Sequence, residues 1–175
     1  TALRPLTRRL FGVDDLADRD HDADALLDVN AYLAPEHRYR GKVPDGCSML
    51  LGPRFAMLRE EFENETHGPA NQEPGAPLVV NISFGGTDLP NLTGRVLSTI
   101  APLGVGVDVV LGAMNPHVTT LREQWAGHAN IHIHQDTRNI AALFGRAQLA
   151  IGAAGSTTWE RMRMGVPSIL YSLAE

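Results

Sequence analysis

The stretch IGAAGSTTWERMRMGVP, residues 151–167, reads as a strand that empties into small residues and then starts a helix. The apolar run Leu149–Ile151 enters a loop of Gly152, Ala153, Ala154, Gly155 and Ser156. The helix runs to Met164, and Gly165–Pro167 stops it. Two readings fit this junction. In the plain one, glycine supplies backbone freedom, Ser156 caps the helix and Glu160 is an acidic residue facing the helix dipole. In the other, N–H groups at the helix start cradle a phosphate. Glu160, one turn on, then accepts hydrogen bonds from the vicinal hydroxyls of a ribose, because a carboxylate can receive two O–H donors at once.

Outward from this junction, the second part of the chain is rhythmic. PLVVNISFGG, GVDVVLG, NIHIHQ, QLAIGAA and PSILYSL read as strands. LPNLTGRVLSTIAPL, HVTTLREQWAGH, RNIAALFGRA and TTWERMRMG between them read as helices. Apolar strands alternating with helices predict a parallel sheet covered on both faces, with strands ending at Gly85, Gly112, His134, Gly152 and Leu173. Ligands of such sheets sit at the C-terminal strand ends. Two small-residue loops fall there, SFGGTD at 83–88 and GAAGST at 152–157. The first is not G-x-G-x-x-G, and no Lys follows Gly155 as a Walker A sequence requires. That leaves a sugar nucleotide as the natural ligand.

The first part gives strands in RRLFGVDD and ALLDVN, and in CSMLLGPRFAMLREEF a short strand followed by a helical segment. Residues 63–77, ENETHGPANQEPGAP, have the proline and polar content of a linker or long surface loop. The expected organisation is one part at 1–65, a linker at 66–76 and a second part at 77–175, each with its own sheet. Both termini read as the interior of a longer protein.

A hydrophobic content of 43% fits a globular chain with a real core. The net charge of −5 offers no basic footprint for nucleic acid. The one cysteine, Cys47, rules out an intrachain disulfide and a cysteine zinc cluster. No apolar run approaches the roughly 20 residues of a membrane helix, and no signal peptide is visible. The default is a cytoplasmic protein.

Other constellations read more plainly. His132 and His134 share a strand face near His128, and polar residues at a strand end are favoured over a metal site. Asp14, Asp15, Asp18, Asp20, Asp22 and Asp24 lack the EF-hand glycine and closing Glu, which favours a solvated turn over calcium. Asn30 and Tyr32 follow a strand end, where a turn residue and a packing ring are favoured over ligand contact. Asp88 and Asn91 contact a sugar, or Asp88 caps the next helix, with equal weight. Trp125 and Trp159 read as core.

Taken in order, LLDVNAYL (26–33), LLGPRFAMLREEF (50–62), VNISFGGTDLPNLT (80–93), GAMNPH (112–117) and AIGAAGSTTWERMRMGVPSILYSLAE (150–175) resemble a family. It is that of the UDP-2,4-diacetamido-2,4,6-trideoxy-β-L-altropyranose hydrolases of pseudaminic acid biosynthesis, similar in turn to the glycosyltransferase that forms lipid II of peptidoglycan. The resemblance implies a GT-B fold, two Rossmann-like domains facing a cleft, and a UDP-sugar substrate hydrolysed without metal or cofactor. It makes 1–65 a remnant of one Rossmann-like domain and 77–175 a second, truncated one. It places Glu160 at the ribose, Gly155 and Ser156 in the diphosphate-facing loop with Thr157 secondary, and Gly85 and Gly86 under the diphosphate and sugar. Thr137 to Asn139, with Asn139 a named candidate, fall in the segment QDTRNIAALF (135–144) whose backbone reads uracil. Asp88, Asn91, Asn30 and Tyr32 are the sugar-side candidates. The family's base is a His in a Gly-Gly-His loop, which these 175 residues do not contain; His67, His117 and His128 stand in other contexts. The catalytic residue is therefore unassigned and the chain alone is expected to be inactive. A glycosyltransferase and a non-catalytic nucleotide-sugar binding module are the competing readings.

Overall fold

The structure, a computed structural model, describes residues 3–64, 75 and 77–172. The chain divides into two compact units, Thr1–Met57 and Leu58–Glu175. Both are α/β with parallel sheets, and the larger is Rossmann-like. Most of the expected linker at 66–76 lies outside the described residues, as do His67, Leu173 and Glu175.

The first unit holds a three-stranded parallel sheet in the order β1 (Phe11–Val13), β2 (Ala25–Asp28), β3 (Ser48–Leu51). Helix α1 (Pro35–Arg38) follows β2. Leu26 and Tyr39, both fully buried, form its core with Ala17. The acidic segment is not simply a solvated turn. Arg4 donates to the carboxylates of Asp22 and Asp24, and the Asp24 carboxylate also accepts the Leu10 N–H at 2.6 Å. Asp14 accepts from the Ala17 N–H at 2.8 Å and the Tyr39 hydroxyl at 3.1 Å. Burial alone would raise the Asp14 carboxyl, but these donors and His21 leave it below its ordinary value. Asp28, buried at the end of β2, shares the Tyr39 hydroxyl at 2.9 Å. Beyond β3, the expected helix breaks up. A 3-10 turn spans Pro53–Phe55, and only α2 (Glu61–Asn64) is helical thereafter.

The second unit is a five-stranded parallel sheet in the order β6-β5-β4-β7-β8. Its strands are β4 (Val79–Ser83), β5 (Gly106–Leu111), β6 (Ile131–Gln135), β7 (Leu149–Ala153) and β8 (Ser168–Tyr171). Helices α3 (Leu92–Ile100), α4 (Val118–Trp125), α5 (Ile140–Gly145) and α6 (Thr157–Arg163) make the crossovers. Each strand lies within two residues of the end read from the sequence, apart from the last, whose expected end at Leu173 lies outside the described residues. Residues 58–64, grouped by composition with the first part, pack in the second unit. Phe62, wholly buried, meets Phe144 of α5 at 6.1 Å between ring centres.

One sheet face is apolar: Val80, Ile82, Val107, Val109 and Leu111 pack with Leu97 and Leu121. The other is mixed, because alternate positions of the same strands are Asn81 and Asp108. Asp108, buried, accepts from Arg146 Nε at 2.7 Å and from His134 Nε2 at 2.8 Å. Among the described residues no group of three or more His, Cys, Asp or Glu side chains that could hold a metal ion is found. Trp125 and Trp159 are both half-buried; Trp125 packs against the core, edge-on to His128.

Strand order reverses at β4, with β5 on one side and β7 on the other. Ser83 stands opposite Gly152 in the register. A Cβ at Gly152 would collide with the Ser83 carbonyl oxygen and with the Arg161 guanidinium. Gly155 has open space around it and an ordinary φ. Gly152→Ala is therefore expected to destabilise the protein by about 1–3 kcal/mol, the scale of overpacking. Gly155→Ala should leave stability within about 0.5 kcal/mol, as for open surface positions. Thermal and denaturant unfolding of the two variants measures the contrast.

Candidate functional site

The point where strand order reverses is where open parallel sheets leave a crevice at the C-terminal strand ends. The loops after β4 and β7 both end there. They line a pocket of about 490 Å³ that brings together Gly85, Gly86, Asp88, Gly155, Ser156 and Thr157. Gly85 has a φ of 84°, which lets the chain turn off β4. The loop after β5 braces this floor. A Cβ at Gly112 would strike the Gly86 carbonyl oxygen, and His117 Nε2 donates to the Leu89 carbonyl at 3.1 Å. His117 beside the pocket rim was not singled out by its sequence context.

The helix starts differ from the plain reading. Ser156 already has helical φ and ψ of −55° and −36°, and its side chain makes no cap bond. Thr158 Oγ1 instead accepts the Gly155 N–H at 3.2 Å. Asp88 resolves toward the cap: Oδ1 accepts the Leu92 N–H and Oδ2 the Thr93 N–H, each at 2.9 Å. Asn91, with φ of 52°, accepts from the Gly94 N–H at 3.1 Å. Both side chains thus hold the start of α3, Asp88 from within the pocket lining.

Glu160 does not line that pocket. It lies one turn along α6, 8% exposed, with Oε1 accepting from Arg59 Nε at 2.9 Å. Its Oε2 is buried and has no hydrogen-bond partner among the described residues. Thr137 and Asn139 sit between β6 and α5, where Thr137 Oγ1 accepts the Asn139 N–H at 3.2 Å. In the first unit, the Asn30 amide donates to Asp28 Oδ1 at 3.0 Å, making a turn at the end of β2. The Tyr32 ring lies under the Arg38 guanidinium at 3.7 Å.

Two arginines escaped sequence reasoning because each looks like a surface cation on a helical stretch. Arg59 pairs with Glu160. Arg161 is wholly buried, with Nη2 donating to the Ala153 carbonyl at 2.7 Å. Burial pushes its guanidinium below the ordinary arginine value, against the pull of neighbouring Glu160. It props the β7–α6 turn from beneath.

The capping of α3 has a direct test. Asp88→Ala should cost about 1–2 kcal/mol of stability, at the upper range for a lost cap because two N–H groups lose their acceptor. Asp88→Asn should keep part of it. Thermal unfolding with circular dichroism reads both.

No family model matches the chain. It is 32% identical over 144 residues to the UDP-2,4-diacetamido-2,4,6-trideoxy-beta-L-altropyranose hydrolase of Campylobacter jejuni, a match covering 82% of this chain and 50% of that protein. It is 25% identical over 176 residues to an uncharacterized protein of Methanocaldococcus jannaschii, covering 96% of this chain and 36% of that one. The chain thus spans about half the length of the first relative and about a third of the second. Among the described residues no helix is long and apolar enough to cross a membrane.

Proposed function

We propose that this chain carries the nucleotide-binding part of a UDP-sugar hydrolase with the GT-B arrangement of two Rossmann-like domains. The reading is carried by the pocket between the β4 and β7 loops at the reversal of strand order, and supported by the 32% identity to a named UDP-sugar hydrolase. The diphosphate lies against the loops of Gly85–Gly86 and Gly155–Thr157, whose backbone N–H groups offer donors at close approach. Glu160 accepts the ribose hydroxyls, and the turn at Thr137–Asn139 reads uracil. The sugar lies toward Asn91 and Asp88; Asn30 and Tyr32 are the sugar-side candidates within the first unit.

In the reaction, water attacks the anomeric carbon. The bond from that carbon to the diphosphate oxygen breaks and UDP leaves with the electron pair, inverting the centre. The charge that grows on the diphosphate is stabilised by fixed loop donors. The water proton passes to a general base. The 175 residues contain no Gly-Gly-His sequence, and no residue here is assigned that role.

Glu160→Ala should weaken UDP binding by about 1.5–3 kcal/mol, the scale of hydrogen bonds to a charged group, and uracil binding far less. Thr157→Ala should cost less than Glu160→Ala. Calorimetry showing equal losses for UDP and uracil, with folding intact, removes Glu160 from the ribose. This chain alone should bind UDP weakly and release none from the activated sugar. A UDP-release assay checks this: multiple turnover by the chain would locate the base among its own residues. Release that needs an added acceptor would make the protein a transferase.

A further inference from the structure

Glu160 is held from one side only. Arg59 Nε donates to Oε1 at 2.9 Å, while Oε2 is closed off from water without a donor among the described residues. Arg59 then reaches in a second direction, Nη1 pairing with Glu61 Oε1 at 2.9 Å. The other oxygen of Glu61 accepts the N–H of Ala141, in the first turn of α5, at 3.0 Å. A line of polar contacts therefore runs from α6 through residues 59–61 to the start of α5. The Arg59 guanidinium also stands 5.1 Å from the ring centre of Phe62, which is wholly buried against Phe144. Its backbone is thus anchored next to the contacts it makes, and its planar fork is spent on two carboxylates.

A buried carboxylate is costly to keep ionised unless a cation or several donors face it. Among the described residues Arg59 is the one that donates to Glu160. It leaves Oε2 unmatched, and an unmatched buried acceptor gains from a ligand donor placed against it.

We propose that Arg59 is a positioning residue for nucleoside recognition, holding Glu160 turned so that it accepts the ribose hydroxyls of a nucleoside diphosphate. This rests on the UDP reading above. Arg59 acts through Glu160 and not on the diphosphate, so its removal is felt where the hydroxyls are and nowhere else on the ligand. Glu61 acts one step further out, by fixing the second arm of the guanidinium.

The test is calorimetry of UDP and of 2′,3′-dideoxy-UDP with the whole chain, as wild type, Arg59→Met, Arg59→Lys and Glu61→Gln, with thermal unfolding alongside. The wild type should bind UDP at least about tenfold more tightly than the dideoxy compound, from lost hydrogen bonds to a charged group. Arg59→Met should lower UDP affinity by about tenfold, the worth of one charge-assisted contact, and leave the dideoxy compound unchanged. Arg59→Lys should regain part of the loss, and Glu61→Gln should show the same pattern more weakly in a protein that keeps Arg59. Equal losses for both compounds would make Arg59 a general structural residue and overturn the proposal. A gain in UDP affinity would make Arg59 a competitor of the ribose and overturn it too. A wild type that does not distinguish the compounds removes the ribose role of Glu160 itself, and the Arg59 proposal with it.

Discussion

Everything at the candidate site depends on how closely β4 and β7 approach at their C-terminal ends. Ser83 and Gly152 face each other in register, and only a hydrogen fits at the second position. Because the strands are held so tightly, the two loops that leave them diverge from nearly the same point. The pocket is the space between them. A side chain at Gly152 would push β7 off β4 and open that space into a shallow trough. A similar constraint operates one strand over, where Gly112 lets the Gly86 backbone lie on the β5 loop. The floor of the site is therefore made of backbone against backbone, which deforms little.

Two arginines, Arg161 buried and Arg59 exposed, make the contacts around this floor in different ways. Arg161 takes a carbonyl, that of Ala153, and braces the turn that starts α6. Arg59 takes a carboxylate and links α6 to α5 through Glu61. The first lies beneath the turn that starts α6, and the second donates to the Glu160 carboxylate. Charge on this unit is thus spent on orientation, while the pocket itself is lined by small residues.

Much of this was legible in the sequence. Strand–helix rhythm marked all five strands of the second unit, because buried parallel strands read as apolar runs and the loops after them are rich in glycine. The loops SFGGTD and GAAGST were recognisable as strand-end loops, and they do share one pocket. What was not legible is which side of a strand a polar residue faces and what it meets there. Asp108 lies in a segment read simply as an apolar strand, yet it is a buried acceptor for Arg146 and His134. Ser156 has the right identity for a cap and the wrong backbone geometry. The helical pattern of AMLREEF gave no warning that Phe62 would anchor in the core while Arg59 turned to Glu160. The Arg59–Glu160 pairing joins residues 101 positions apart, and local pattern carries no trace of it.

The parallel topology also governs when the site comes into being. No strand of the larger sheet pairs with a partner reachable through a short hairpin, and β4 must find β7 across about seventy residues. Closing so long a loop is entropically slow, and contacts of this range form late in folding. The pocket exists only as the gap between those two strand ends. Its two walls therefore meet only once β4 and β7 have paired across that separation. Anything that needs donors from both loops meets a complete site only after β4 and β7 have paired.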